Sequence, residues 1–484
     1  MRWKKALRAT SFVLLVILLL HGITWALRDR ETTLSCLYSE KKNTVDMLIV
    51  GSSHVNSSYM PNLFWEENNA SACNVFSWSQ PMWISYYYIK EALKTQHPSV
   101  IALEMFGMTY GHSSIMPEEI DRTNYANSFS IDPGLNFLAM TQTVEKCGLD
   151  LRNYEDFLNL PRYHTRWKTF SKNYLNYNPH QAKDPLKGYG LVLGVSPQEG
   201  LDFQASEESV LPYEYSIEYL DKIVTLCKKE KIDLIFTLTP YKYNETERGI
   251  YNWIDTYAAQ HEIPFLNYNG ADGKRIGIDF NTDLADWGHT NYYGAQKVTQ
   301  DLSNYLLLYH VFPSKSLHSN KAELDQDLNI YHRVLSVQKI MTETDFSVWL
   351  NMALSDENFA LFVVDRGTSS VASKTLRLAF SNTGNSVIKD FSTAVVDGSN
   401  KKIFNTTQIN FPLFGKAGTV TLDASDGVIC LNQTTAPVKG DAITIVLYDK
   451  ILDRPLETVY LNCSNELTLQ HREFTSDIMP QYKK

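Results

Sequence analysis

Between Val45 and Tyr309 the chain alternates short β-rich apolar runs with longer helical ones, and that alternation narrows the folds open to it more than any other feature. Compact strands are predicted at 46–50, 74–78 and 100–105, with an amphipathic helix over 85–96. The pattern resumes with a helix at 217–230, a strand at 234–238 closed by Pro240, a helix at 251–260, a strand at 265–268 and a helix at 294–309. Apolar strands separated by helices belong in a parallel sheet covered on both faces. The aromatic-rich stretch 106–208 interrupts the alternation. It is too long for one structureless loop in a compact domain, and it reads as a helical cap.

The ends of the chain differ from this middle. Arg2, Lys4, Lys5 and Arg8 precede an apolar run over 12–27. A helix starting near Ala6 would reach about 33 Å at ~1.5 Å per residue, enough for a hydrocarbon core of ~30 Å. The reading is a cytoplasmic tail at 1–10, a signal-anchor at 11–27 and a linker at 28–44. A cleaved signal peptide is the alternative, although no A-x-A-type site follows His21. Cations are denser before the run than after it, which places the remainder outside the cell as a single-pass membrane protein. At the other end, a polar joint at 311–345 leads to alternating strands with Gly and Asn turns. Strands are predicted at 359–364, 376–380, 393–396, 420–422 and 443–448, giving a β-sandwich at 346–470 and a tail at 471–484.

Composition excludes some functions. With 45 Lys+Arg against 54 Asp+Glu and a net charge of −9, the chain lacks the basic face that nucleic acid demands. The six cysteines are widely spaced, with no C-x-x-C pair to suggest zinc or redox chemistry. No metal or cofactor is predicted. Cys227 sits on the apolar stripe of a helix as a buried thiol, while Cys430 and Cys463 are candidates for a disulfide outside the cell.

Two segments carry chemistry. Val50-Gly51-Ser52-Ser53-His54 leaves the first strand where ligands of open parallel sheets sit, and backbone N–H groups of the next turn can face an oxyanion. The bland alternative is a turn of small residues. Asp283-Leu284-Ala285-Asp286-Trp287-Gly288-His289-Thr290-Asn291 precedes the last helix. An Asp three residues before a His can bend back to hold Nδ1–H and leave Nε2 free to take a proton. The same spacing occurs in metal sites and helix caps, but a third and fourth ligand are not found.

Taken together, Gly-x-Ser after the first strand and Asp-x-x-His before the last helix resemble the SGNH/GDSL hydrolase superfamily. The resemblance implies Ser53 as nucleophile, His289 as general base and Asp286 as its orienting acid. It places the second-block oxyanion donor near Ser79 and Gln80, where this chain has no glycine. His54 and Asn291 are further oxyanion or substrate candidates. The third strand ends Leu103-Glu104-Met105-Phe106-Gly107, without the Asn usual in the family. The ending Asp-x-x-His-x-Asn-x-x-Gly-Ala, with an anchor and a Gly-Ser-Ser start, is similar to exported DltD-like and alginate-acetylation-like proteins. The segment Tyr163-His164-Thr165-Arg166-Trp167 shares that likeness. Val363-Val364-Asp365-Arg366-Gly367, the run 443–449 and Val459-Tyr460-Leu461 resemble the interleukin-like EMT inducer domain, a β-rich module related to carbohydrate-binding stem domains. Phe404, Phe411, Phe414 and Tyr448 are its candidate sugar platforms.

The resemblance implies an exported bacterial serine O-acyltransferase or acyl esterase of the cell envelope. Its acceptor would be an envelope polysaccharide or a teichoic-acid-like polymer, and a polytopic membrane O-acyltransferase would be its partner. The alternatives are a catalytically inactive glycan-binding protein and a structural member of a membrane acylation complex.

Overall fold

The computed structural model describes residues 2–27, 33–110, 167–168, 183–198, 208–365 and 376. Beyond these it describes 393–397, 402–404, 412–413, 416–417, 428–431, 434–437, 442–451, 454–462 and 469–473. The chain divides into two units, Met1–His332 and Arg333–Tyr482.

The first unit opens with helix α1 (Arg2–Leu27), whose Phe12, Leu15, Leu18 and Leu19 are exposed. Among the described residues no helix is long and apolar enough to cross a membrane. Next come α2 (Ser35–Ser39), β1 (Met47–Gly51), α3 (Ser53–Ser58), α4 (Pro61–Asn68), β2 (Ala72–Phe76), α5 (Met82–Ala92) and β3 (Val100–Glu104). After a 3-10 turn at Met105–Thr109 follow α6 (Glu214–Glu230), β4 (Asp233–Leu238), α7 (Glu245–Gln260), β5 (Phe265–Asn267), α8 (Ala271–Arg275) and α9 (Tyr292–Tyr309).

The five strands form one sheet in the order β2-β1-β3-β4-β5, and every pairing is parallel. Strand alternation builds two cores. Leu48 and Val50 of β1 face one side with α2, α5, α6 and α7, while Met47 and Ile49 face the other with α3, α4 and α9. From β1 the chain steps to β2 on one side and then to β3 on the other. This reversal is the switch point at which the crevice beyond the strand carboxyl ends opens for ligands.

Of the expected linker at 28–44, the described part, 33–44, is not free chain. Leu34, Cys36, Leu37 and Tyr38 are buried in the first core, and Cys36 is disulfide-bonded to Cys73 on β2. Nothing in the cysteine spacing announces that bridge. Cys227 is the buried free thiol expected, whereas the side chains of Cys430 and Cys463 lie outside the described residues. The 311–345 joint is also structured. Helix α10 (Lys321–Thr342) spans most of it, and its charged exterior masks the apolar line Leu324, Tyr331, Val334, Val337 and Ile340, all buried. Of the 106–208 cap, the described residues include the 3-10 turn, exposed Trp167 and 183–198. Tyr163, His164, Thr165 and Arg166 lie outside them.

In the second unit, α11 (Phe346–Ser355) precedes β6 (Phe359–Asp365), β7 (Thr393–Asp397), β8 (Lys402–Phe404), β9 (Pro412–Leu413), β10 (Lys416–Ala417), β11 (Val428–Leu431), β12 (Thr434–Pro437), β13 (Ala442–Asp449), β14 (Arg454–Asn462) and β15 (Leu469–Glu473). Six strands form an antiparallel sheet in the order β15-β14-β13-β6-β7-β8. The sandwich expectation needs correcting for the described layer. Phe359, Leu361, Val363, Ile443, Ile445 and Leu447 pack against Val337 and Ile340 of α10 and Phe346, Trp349, Leu350 and Ala353 of α11, so helices cover that face. The last strand runs to Glu473, past the expected boundary. Strands expected at 376–380 and 420–422 lie outside the described residues apart from buried Leu376, as do the side chains of Phe404, Phe411 and Phe414. Tyr448 is no sugar platform. It is buried and meets Phe362 edge to face.

Candidate active site

Ser53 is the first residue of α3, and Ser52 is the N-cap whose hydroxyl accepts from His54 N–H. The strand must turn sharply here with no side chain at Gly51, where a Cβ would stand 2.6 Å from Glu104 Cβ. Ser53 therefore emerges at the carboxyl end of β1, beside the switch point.

The loop before α9 folds into a tight hairpin. Leu284 and Thr290 form an antiparallel bridge, and Ala285 N–H donates to the His289 carbonyl at 2.8 Å. Asp286 accepts from Gly288 N–H at 2.7 Å, which bends its carboxylate back towards the histidine. His289 Nδ1 then lies 2.9 and 3.0 Å from the two Asp286 oxygens, and Nε2 lies 2.8 Å from Ser53 Oγ. Two segments 236 residues apart are thus joined in one hydrogen-bonded line. The site is open to solvent, with 33% of the His289 side chain and 50% of the Asp286 side chain accessible.

Thr290, which carries no motif of its own in the sequence, fastens this loop to α3. Its hydroxyl donates to the Ser57 carbonyl at 3.0 Å and lies 2.9 Å from Ser58 Oγ. The only sequence cue is a hydroxyl residue directly after the histidine. Asp283 shapes the loop from behind, accepting from Lys297 Nζ at 2.6 Å and from Asp279 N–H at 2.8 Å. Gly294 is required because a Cβ there would stand 2.3 Å from the Asp283 carbonyl oxygen.

The other candidates are not drawn together. Asn291 is buried as the N-cap of α9. Its Oδ1 accepts from Tyr293 and Gly294 N–H, and its Nδ2 donates to the carbonyls of Thr282 and Leu284. Its amide is spent on the fold, which corrects the substrate assignment. Gln80 is likewise buried and committed, accepting from Ser77 Oγ at 2.9 Å and donating to Ser85 Oγ at 3.0 Å. Ser79 adopts a left-handed backbone with φ 50° in the turn after β2. His54 is withdrawn from solvent. It is buried, stacked on Phe106 at 4.1 Å, edge-on to Tyr241 at 5.0 Å, and its Nδ1 is 3.0 Å from Thr239 Oγ1. Burial holds its imidazole well below the ordinary pKa, and the nearby His289 acts in the same direction. The Ser53 N–H, in the unpaired first turn of α3, has no hydrogen-bond partner among the described residues.

Among the described residues no group of three His, Cys, Asp or Glu side chains could hold a metal ion.

No family model matches the chain, and no curated protein matches it. Several solved structures are similar over part of it, two of which follow. One is a protein provisionally assigned as an acylhydrolase from Bacteroides fragilis, with 11% identity and a TM-score of 0.26, covering 57% of this chain and 95% of its own. The other is a GDSL-like lipase from Bacteroides thetaiotaomicron, with 10% identity and a TM-score of 0.25, covering 60% and 96%. At those scores the likeness adds nothing to the reading of the site, which rests on its own geometry.

Proposed function

We propose that this protein forms an acyl-enzyme on Ser53 and so acts as a serine esterase or O-acyltransferase. The observation that carries the reading is the line Ser53 Oγ, His289 Nε2, His289 Nδ1 and the Asp286 carboxylate, with links of 2.8 and 2.9 Å. A serine hydroxyl is a weak nucleophile near neutral pH and needs a base in hydrogen-bond reach. In the proposed cycle His289 Nε2 takes the Ser53 proton as Oγ bonds to the acyl carbonyl carbon, and Asp286 holds the Nδ1–H tautomer and the imidazolium that results. The carbonyl oxygen becomes an oxyanion that the Ser53 N–H is placed to receive. Collapse breaks the ester C–O bond, and His289 returns the proton to the departing alcohol. Water or a sugar hydroxyl then attacks the acyl-enzyme by the same steps in reverse.

The finer reading is an exported enzyme anchored by the 11–27 run, moving O-acyl groups on an envelope glycan or teichoic-acid-like polymer. The sequence likeness to exported acylating proteins supports it. So does Trp287, which sits between Asp286 and His289 with 62% of its surface exposed while its carbonyl is fixed by Lys242 N–H at 2.7 Å. An exposed indole beside the base suits the flat face of a sugar ring. With the large domain outside, the acyl group must cross the bilayer first, so a polytopic membrane acyltransferase is the proposed donor partner.

Mass spectrometry of the intact protein after incubation with aryl acyl esters of increasing chain length tests the core reading. The expected result is a mass increase of one acyl group on the peptide carrying Ser53, absent in Ser53→Ala. Turnover by folded Ser53→Ala at the wild-type rate would refute it.

A further inference from the structure

The carboxyl of Glu104 is fully buried at the carboxyl end of β3, under the turn that presents Ser53. Its Oε1 accepts from Phe106 N–H at 3.2 Å. Oε2 has no hydrogen-bond partner, and no ion pair holds the group, among the described residues. Phe106 and Thr239 belong to the two loops that leave β3 and β4. Those loops hold His54: the Phe106 ring lies on one face, the Thr239 hydroxyl meets Nδ1, and Tyr241 closes the edge. His54 shares the first turn of α3 with Ser53, and its ring centroid is 5.5 Å from that of His289.

We propose that Glu104 is a positioning residue for the nucleophile: by binding the Phe106 N–H it fixes the ring stacked on His54, and His54 in turn fixes the Ser53 hydroxyl against His289. The inference rests on the acyl-enzyme reading above and names a residue that reading does not use. A neutral carboxyl suits the position. Burial pushes Glu104 up to about 8, and the titratable groups that face it, Tyr59, Tyr241 and Tyr251, include no cation. All three phenols are themselves held above their ordinary value by burial. The sign follows from linkage. Between the ordinary value of 4.5 and about 8 the unfolded chain is ionised while the folded one keeps its proton, so this group's contribution to stability falls as pH rises. Above about 8 the native carboxyl itself ionises, and an unpaired anion forms beneath the turn.

The test measures kcat and KM for aryl acetate hydrolysis, and fluorophosphonate labelling of Ser53, between about pH 6 and pH 10 for the full-length wild type, Glu104→Ala and Glu104→Gln. Glu104→Ala is expected to lower kcat by on the order of 10-fold to 100-fold with KM within about twofold, because misplacement of the nucleophile acts on the chemical step. Glu104→Gln still accepts the Phe106 N–H and is expected to keep most of kcat while losing the fall in activity above about pH 8, which a merely space-filling role would leave unchanged. Wild-type kcat in Glu104→Ala, or an unaltered alkaline fall in Glu104→Gln, would overturn the inference alone. Wild-type protein that is never labelled at Ser53 would overturn the acyl-enzyme reading and this inference with it. Should Glu104→Ala fail to fold, the Gln profile decides.

Discussion

The two units differ in where they leave buried polar side chains without an ion pair. In the second, the buried charges Arg333, Asp449 and Glu457 all have partners. Arg333 donates to Asp449 at 2.7 and 3.0 Å and to Asp356 at 2.6 Å, Ser336 donates to Asp356 at 2.9 Å, and Trp349 Nε1 donates to Glu457 at 2.9 Å. In the first unit the same device appears away from the strand ends, where Lys187 sits between Glu40 and Asp327. At the carboxyl ends of β1, β3 and β4 the pattern changes. His54 and Glu104 are buried with no ion pair among the described residues, and both are held near neutrality by burial. Paired charges specify packing, because breaking them leaves an uncompensated ion. Unpaired neutral acids and bases are costly, and they collect at the strand ends that also present Ser53 and His289.

This contrast breaks first at the nucleophile. Ser53→Ala and His289→Ala are expected to lower ester turnover by on the order of 10^4-fold or more with the melting temperature unchanged, since both side chains act on the reaction and neither fills a core. Asp286→Asn should lose less, because its carboxylate is half exposed and water can share its role. A loss of fold in Ser53→Ala would erase the distinction between the two kinds of buried group.

The reverse experiment removes a paired charge. Asp449→Ala leaves Arg333, only 5% of whose side chain is accessible, with Asp356 as its one remaining carboxylate partner among the described residues, and is expected to destabilise the second unit by about 1.5–3 kcal/mol. Hydrogen exchange should show lost protection in the amides of β6, β13 and β14, with those of β1 to β4 retained. Ester turnover measured below the new transition should stay at the wild-type level. A drop in turnover would mean that the second unit contributes to the site.

How much of this is legible in the sequence depends on the range of the interaction. Strands of the first unit fall within about two residues of prediction, because apolar runs bounded by Gly and Pro are local signals. Asp286 and His289 are legible for the same reason: three residues of spacing suffice for one carboxylate to reach one imidazole. Asn291 misleads because a side chain that caps a helix and one that binds a ligand have the same composition, and only its four hydrogen bonds tell them apart. The Cys36 to Cys73 bridge, the Thr290 clamp on α3 and the role of Glu104 all depend on which strands become neighbours. A charged exterior makes α10 look like a joint, since its buried line is diluted by Lys, Glu, Asp and Gln.

A third prediction concerns the tether between α2 and β2. Cys36–Cys73 closes a loop of 37 residues, for which chain entropy suggests a contribution of about 2–4 kcal/mol to the first unit. Reduction, or Cys36→Ala with Cys73→Ala, should lower that unit's stability by this amount and leave kcat within about twofold at 25 °C, because the bridge is in the first core and not at the strand ends. Loss of Ser53 labelling in the reduced but folded protein would contradict it.

The smallest expected effect separates transfer from hydrolysis. Trp287 is exposed, yet its neighbours Asp286 and His289 fix the loop around it, so replacing the indole should alter what approaches the acyl-enzyme more than how the acyl-enzyme forms. An aromatic contact is worth ~0.5–1.5 kcal/mol, equivalent to about twofold to tenfold in affinity. Trp287→Ala is therefore expected to raise KM for a glycan or polyol acceptor by about that factor while hydrolysis of a small aryl acetate continues unchanged. Competition between water and acceptor makes the ratio readable in one reaction, as acylated product against free acid. A fall in both products together would place Trp287 in the catalytic step, and no change in either would leave hydrolysis as the better reading of the site.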